Sequence, residues 1–225
     1  MNRSADRLFK LLPAISVSGI LCILFGCSFA EAITIDEILS RMRAADENAK
    51  VLEFNFTQQI KFSLTGETQT KSGEMTFRKP DNIRIVQKKP AEQLMVGDGR
   101  KIWVYTPSYG QAVVDDWKKW LKNNELVYVF FGLARSFKEF ESNYRFRYVS
   151  KNEKGFLLSL EPRKKDFPRM TLVVDDVSFI PVQTNVILGN TEITSDIDGL
   201  KVNPQINKDT FKFRAPDKTE VIRLN

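Results

Sequence analysis

The side chains that could catalyse a reaction are few in this sequence and stand in unfavourable places. None of its 225 residues is histidine, which removes the commonest general base and metal ligand and makes a Ser-His-Asp triad impossible. Two pairs of adjacent acids, Asp115-Asp116 and Asp175-Asp176, could share acid–base work. Neighbouring side chains on a strand point to opposite faces, and both pairs stand where turns or helix caps favour aspartate. We therefore expect no enzyme activity, no cofactor and no metal site.

The first 32 residues have the features of an export signal. A basic start is followed by a broken apolar run at 11–25, and Ala30-Glu31-Ala32 supplies small residues at the positions that signal peptidase reads. The apolar run is too short and too interrupted to span a membrane comfortably. We predict that residues 1–32 are a cleaved signal peptide. Residues 33–225 should form one domain, because no linker, repeat or abrupt change in composition divides them.

A second interpretation of the leader remains open. The segment around Cys27, Leu-Phe-Gly-Cys-Ser, resembles a bacterial lipobox, which would place a lipid on that cysteine. Cleavage after Ala32 would instead remove both Cys22 and Cys27 and leave a chain without disulfides in an oxidising compartment. The sequence thus predicts either a free exported protein or one that is anchored through Cys27.

Short extended runs dominate the rest of the chain. Between Gly73 and Gln111, apolar residues alternate with polar ones in runs of about five, and proline or glycine turns separate these runs. This pattern is typical of an antiparallel meander. Further alternating runs follow after Tyr144, the last of them at Phe211 and Phe213. Together they predict a mainly β (α+β) fold of about ten or eleven strands, bent into an incomplete barrel with helices over its open face.

Two segments carry a helical pattern with a strong apolar side. Thr34 and Glu37 form a capping box before an amphipathic helix. Phe130, Leu133 and Phe137 lie on one stripe of a second helix, which has more apolar surface than one sheet contact needs. The second helix is either a fixed cap over the barrel or a mobile lid. The net charge of +6 is mild and scattered, so we expect no nucleic-acid partner.

The order and spacing of several short motifs carry a family resemblance. The chain resembles the periplasmic outer-membrane lipoprotein carrier family (LolA) over roughly residues 34–222. The matching residues are Phe54-Asn55-Phe56-Thr57-Gln58, Gly73, Phe77-Arg78-Lys79-Pro80, Ile83-Arg84-Ile85, Asp98-Gly99, Ile102-Trp103, Tyr105, Pro107, Gln111, Leu188-Gly189-Asn190-Thr191-Glu192-Ile193, Asn203, Phe211-Lys212-Phe213-Arg214-Ala215-Pro216 and Val221-Ile222.

The resemblance implies a carrier that holds the acyl chains of lipoproteins on the concave face of the barrel. Such a protein moves lipoproteins through the periplasm of a Gram-negative bacterium. Its implied partners are lipoproteins, an inner-membrane ABC transporter that releases them and an outer-membrane acceptor, and it is expected to be a monomer. Two alternatives remain: an outer-membrane acceptor or scaffold anchored through Cys27, and a regulatory module that senses a lipid or lipoprotein.

The same-parity rows of the strands and the helical stripe supply the expected cavity wall. We predict that acyl chains contact Leu52, Phe54, Phe56, Phe77, Ile83, Ile85, Phe130, Leu133 and Phe137. The family resemblance adds a latch: an arginine immediately before the motif's proline bonds the helical lid and holds the cavity shut. Lys79 occupies that position here. Lysine lacks the planar fork of arginine, so the resemblance implies a looser latch.

Overall fold

The computed structural model describes residues 33–123, 137–165 and 167–224. These residues belong to one compact unit that begins at Ile33. The predicted leader, with Cys22 and Cys27, lies outside the described residues, as does most of the predicted second helix, including Phe130 and Leu133.

One twelve-stranded sheet forms the body of the protein. Its strands are β1 Val51–Phe62, β2 Thr68–Arg78, β3 Asn82–Lys89, β4 Gln93–Asp98, β5 Lys101–Thr106, β6 Gln111–Asp116, β7 Tyr144–Asn152, β8 Gly155–Pro162, β9 Arg169–Val174, β10 Pro181–Leu188, β11 Thr191–Val202 and β12 Glu220–Arg223.

The sheet consists of two antiparallel meanders joined in the middle. Strands β1 to β6 form the first, β7 to β11 form the second, and β1 pairs with β11 to join them. The short strand β12 pairs in parallel with β6 and forms one edge, while β7 forms the other. Within the described residues these two edges do not pair, so the sheet is open. This is the predicted incomplete barrel, with one or two strands more than expected.

Three α-helices accompany the sheet in the described part of the chain: α1 Ile35–Asn48, α2 Trp117–Asn123 and α3 Phe137–Asn143. Thr34 caps α1 as predicted, because its Oγ1 accepts a hydrogen bond from the backbone N of Glu37 at 3.2 Å. The apolar face of α1 buries Ile38, Leu39 and Met42. None of the helices in these residues is long and apolar enough to cross a membrane.

Asn203 fixes where α1 ends and β1 begins. Its Oδ1 accepts hydrogen bonds from the backbone N of Lys50 at 2.7 Å and of Val51 at 3.0 Å, while its Nδ2 donates to the carbonyl of Asn48 at 2.9 Å. One side chain thus satisfies three backbone groups that the helix end and the first strand leave open. This contact holds the C-terminal end of α1 at a defined place on the sheet.

The two acidic pairs have local structural roles. Asp116 Oδ1 accepts from the backbone N of Lys119 at 2.9 Å and so caps the start of α2. Asp175 Oδ1 accepts from the backbone N of Val177 and from both the N and Oγ of Ser178, which closes the turn after β9. Capping and turn formation are therefore sufficient reasons for aspartate at these two positions.

The buried side chains form two apolar clusters on the sheet. The first core cluster joins α1 and α3 to β8, β9 and β10, through residues such as Met42, Phe137, Leu158 and Leu172. The second core cluster joins β1, β2, β3 and β5 to Trp117 at the start of α2. The two clusters meet beneath the C-terminal half of α1, where Ala45 packs against both.

Candidate functional site

An apolar cleft lies where the two core clusters meet. It has about 530 Å³ of atom-free space, which includes space open to solvent. Helices α1 and α3 form one wall, and β1, β9, β10 and the turn before β10 form the other. The lining residues are Met42, Ala45, Asp46 and Ala49 of α1, Leu52 of β1, Phe137 and Phe140 of α3, Met170 and Leu172 of β9, Phe179 and Ile180 of the turn, and Pro181 and Thr184 of β10.

The chemistry of the lining suits a hydrocarbon. Of these residues only Asp46 and Thr184 are polar. The cleft is narrow, because the side chains of its two walls lie close together. A long hydrocarbon therefore needs more room than the cleft offers in this arrangement of helices and strands.

A polar contact beside the cleft holds the two walls together. Lys79, the residue after β2, donates from Nζ to Asp46 Oδ1 at 2.6 Å and to the Asp46 carbonyl O at 2.5 Å. Asp46 Oδ2 in turn accepts from the backbone N of Phe137 at 3.1 Å. Asp46 of α1 therefore connects the sheet to the first residue of α3. Both charged side chains are about 20% exposed, so solvent screens the pair only in part.

A second ion pair joins α1 to α3 on the outside of the cleft. Arg43 donates from Nε and one terminal nitrogen to the two carboxylate oxygens of Glu141, at 2.9 and 2.8 Å. These hydrogen bonds lower the pKa of Glu141 and raise the pKa of Arg43 from their ordinary values, against an opposing effect of burial. The two helices thus form one unit tied by a bidentate pair.

The Arg43–Glu141 pair should make part of the stability depend on pH. Folding lowers the pKa of Glu141. The stability that the pair contributes is therefore fully present above the ordinary glutamate pKa of about 4.3, and it is lost as the pH falls through the lowered pKa. Since the pair is partly exposed, we expect Glu141→Gln to cost about 0.5–1 kcal/mol at pH 7 and less at pH 3, measured by urea unfolding.

A matched control for this measurement lies within α1. Glu37 pairs with Arg41 on the same helix and does not tie it to α3. Glu37→Gln should therefore change stability less at pH 7 than Glu141→Gln does. An equal cost for Glu141→Gln at pH 7 and pH 3 would show that the ion pair does not contribute as described.

Comparison with known proteins identifies the family. A family model described as outer membrane lipoprotein carrier protein LolA matches residues 47–214. The chain belongs to the LolA family. The match begins just before β1 and ends in the irregular segment after β11, so it covers both meanders.

Individual relatives of the carrier family align over nearly the whole chain. An outer-membrane lipoprotein carrier protein from Legionella pneumophila (strain Corby) is 24% identical over 91% of this chain and 96% of its own. One from Azotobacter vinelandii is 27% identical over 96% and 99%. A crystal structure of an uncharacterised conserved protein from Thermus thermophilus has the same fold, with a TM-score of 0.55 and 15% identity over 84% of this chain and 98% of that one.

The structure separates the carrier-family cavity residues predicted from the sequence into three sets. Leu52 and Phe137 line the cleft. Phe54, Phe56, Phe77, Ile83 and Ile85 are buried in the adjoining second core cluster and do not line it. Phe130 and Leu133 lie outside the described residues. Lys79 lies beside the cleft and bonds to Asp46 of α1, which also accepts a hydrogen bond from the backbone N of Phe137. Most of the predicted lid lies outside the described residues.

Most of the cleft wall was not among the predicted site residues. Met170, Leu172 and Thr184 come from the second half of the sheet, and Met42 and Ala45 come from α1. The alternation of Met170 with Leu172 and the helical spacing of Met42 are typical of buried side chains. Neither pattern shows which helix lies over which strand, because that depends on the pairing of β1 with β11, more than a hundred residues apart.

A second groove, which is polar, lies on the other face of the sheet and is lined in part by Arg78. Arg78 follows Phe77, whose side chain faces the core, and neighbouring side chains on a strand point to opposite faces. Phe211 lies under the Arg78 guanidinium at 4.7 Å, and Phe213 packs against Trp103. The predicted strand at Phe211 and Phe213 is wrong, because this segment is a turn followed by irregular chain. Its alternation reflects phenylalanines packed on the sheet and not strand pairing.

Proposed function

We propose that this chain is a periplasmic carrier that takes lipoprotein acyl chains into the cleft between α1, α3 and the sheet and moves them from the inner to the outer membrane. The observation that carries the proposal is an apolar cleft between an open sheet and two helices, in a member of the lipoprotein carrier family. The polar contacts lie at its margin, so the interior offers mainly hydrocarbon. Such a site suits transport and not catalysis.

The energetics of acyl binding support a carrier that requires a hand-off. Each methylene group that leaves water contributes about 0.8 kcal/mol, so a chain of about fifteen contributes on the order of 10 kcal/mol, less the cost of opening the cleft. Spontaneous release into water would be very slow. The proposal therefore includes two partners at which the cleft opens: an ABC transporter at the inner membrane and an acceptor at the outer membrane.

The second core cluster extends the proposed cavity once the helices move. It adjoins the cleft through Leu52 and Ile180, which belong to both. Phe54, Phe56, Phe77, Ile83 and Ile85 would then contact the distal part of an acyl chain, and Phe130 and Leu133 would cover it. Lys79 would act as the latch, since its bonds to Asp46 must break if α1 and α3 leave the sheet together.

Direct binding tests the carrier proposal. A fluorescent triacylated lipopeptide should bind the purified mature protein as a monomer, and the same peptide without acyl chains should not. Failure of the acylated peptide to bind would rule out the carrier. Intact mass of the protein from the periplasm decides about the anchor: an N-terminus at Ile33 supports the free carrier, and a lipidated Cys27 supports the anchored acceptor.

A further inference from the structure

Three polar side chains form a row across the apolar face of the sheet. Besides Tyr144 and Trp117, the buried side chains with polar atoms in the described part of the chain are Gln58 of β1, Ser195 of β11 and Thr184 of β10. The strand register places them side by side, since Gln58 pairs with Ser195 and Ser195 pairs with Thr184. Such a row runs perpendicular to the strands, and at its Thr184 end it reaches the cleft.

The polar groups at one end of the row are hydrogen-bonded to each other, and the hydroxyl at the other end is not. Gln58 Nε2 donates to Ser195 Oγ at 3.1 Å. Thr184 Oγ1 has no hydrogen-bond partner among the described residues, although the side chain is only 2% exposed. The second polar group of the cleft, Asp46, already accepts from Lys79 and from Phe137. The Thr184 hydroxyl is therefore the polar group of the lining that remains available to a ligand.

A buried hydroxyl without a partner destabilises a protein, and valine would fill the same space without that cost. A hydroxyl at this position can donate a hydrogen bond to a molecule that brings an acceptor into the cleft. The other lining residues around it, such as Leu172 and Ile180, are apolar and exclude a charged acceptor. A neutral carbonyl oxygen meets both conditions, and every acyl chain begins with one.

We propose that Thr184 donates a hydrogen bond to the ester or amide carbonyl of a bound acyl chain, so that the cleft distinguishes acyl from alkyl chains. This inference rests on the proposed carrier function. It assigns the carbonyl end of the chain to β10, with the hydrocarbon running along the apolar lining. Binding then restores a hydrogen bond to a group that lacks one in the closed cleft.

Two lipopeptides that differ only at the carbonyl test the assignment. Both lack an N-acyl chain; one carries ester-linked hexadecanoyl chains on its glyceryl group, and the other carries ether-linked hexadecyl chains on the same peptide. We expect the parent to bind the ester roughly five- to tenfold more tightly, the effect of one buried hydrogen bond. Thr184→Val should bind both probes equally, and Thr184→Ser should keep the preference because it keeps the hydroxyl.

Stability provides a second measurement. Without ligand, Thr184→Val should unfold at the same or a higher urea concentration than the parent, since it removes an unpaired hydroxyl. A parent that does not discriminate, a Thr184→Val variant that still prefers the ester, or a clear loss of stability in that variant would each overturn the assignment. Equal binding of both probes by the parent overturns this inference alone, whereas binding of neither overturns the carrier proposal as well.

Discussion

Ala45→Trp should nearly abolish acyl-chain binding while the protein stays folded. Ala45 lies on α1 at the point where the two core clusters meet, and its methyl group lines the cleft. An indole at this position would occupy space that an acyl chain needs. If it displaces about four methylene groups, the loss is about 3 kcal/mol, which is more than a hundredfold in affinity. Titration of the fluorescent lipopeptide measures this change.

The neighbouring alanine provides the matched control. Ala44 is exposed on the same helix, and one residue along a helix turns a side chain by about a third of a turn, away from the cleft. Ala44→Trp should therefore bind the lipopeptide as the parent does. Ala45→Leu, with a smaller side chain, should give an intermediate affinity and guards against a tryptophan that is too large to fold. Parent-like binding by Ala45→Trp would show that acyl chains occupy some other site.

The strand pattern of the sequence predicted the architecture because it reports which side chains are buried. The β1 row is an example: Leu52, Phe54, Phe56 and Ile60 are all buried, as their shared parity predicted, while Phe62 at the end of the row is half-buried. Gln58 interrupts that row in the sequence, yet it is equally buried, since Ser195 satisfies its amide. The periodicity thus identified the inner face of the strand correctly, including its one polar member.

The same reasoning missed two strands: β12, which buries little, and β6, which buries Ala112 and Val114. Strand β12, Glu220–Arg223, is formed by only four residues, and Val221 at its centre is 38% exposed. Strand β6, Gln111–Asp116, ends in the two aspartates that indicated a helix cap. In contrast, the phenylalanines at 211 and 213 alternate without forming a strand. Alternation measures burial of every second side chain, and strand pairing is only its commonest cause.

The site was harder to predict than the fold, because it depends on contacts between distant parts of the chain. Asp46 and Lys79 are separated by 33 residues, and nothing in either local pattern pairs them. The family resemblance implied that Lys79 bonds to the lid, most of which lies outside the described residues. In the structure Lys79 bonds to Asp46 of α1, and Asp46 also accepts a hydrogen bond from the first residue of α3.

Replacing Lys79 with methionine should speed both uptake and release of acylated ligand. The substitution keeps an unbranched side chain that is one atom shorter, and it removes the charge. Asp46 would then keep only its bond from the backbone N of Phe137, and α1 would lose its charged tie to the sheet. A hydrogen bond that involves a charged group contributes about 1.5–3 kcal/mol. If the cleft must break this tie to open, both rates should rise about tenfold or more.

Lys79→Arg is the control that keeps the charge, and it distinguishes a latch from a general effect of charge removal on folding. Its planar guanidinium can bond the carboxylate and the carbonyl of Asp46 together, so the exchange rates should equal or fall below those of the parent. Asp46→Asn alone should also speed exchange, and adding it to Lys79→Met should speed exchange little further, because both variants break the same tie. Stopped-flow mixing with the fluorescent lipopeptide gives the two rates. If Lys79→Met lowers the free energy of unfolding but leaves both rates unchanged, Lys79 braces the fold and does not govern the opening of the cleft.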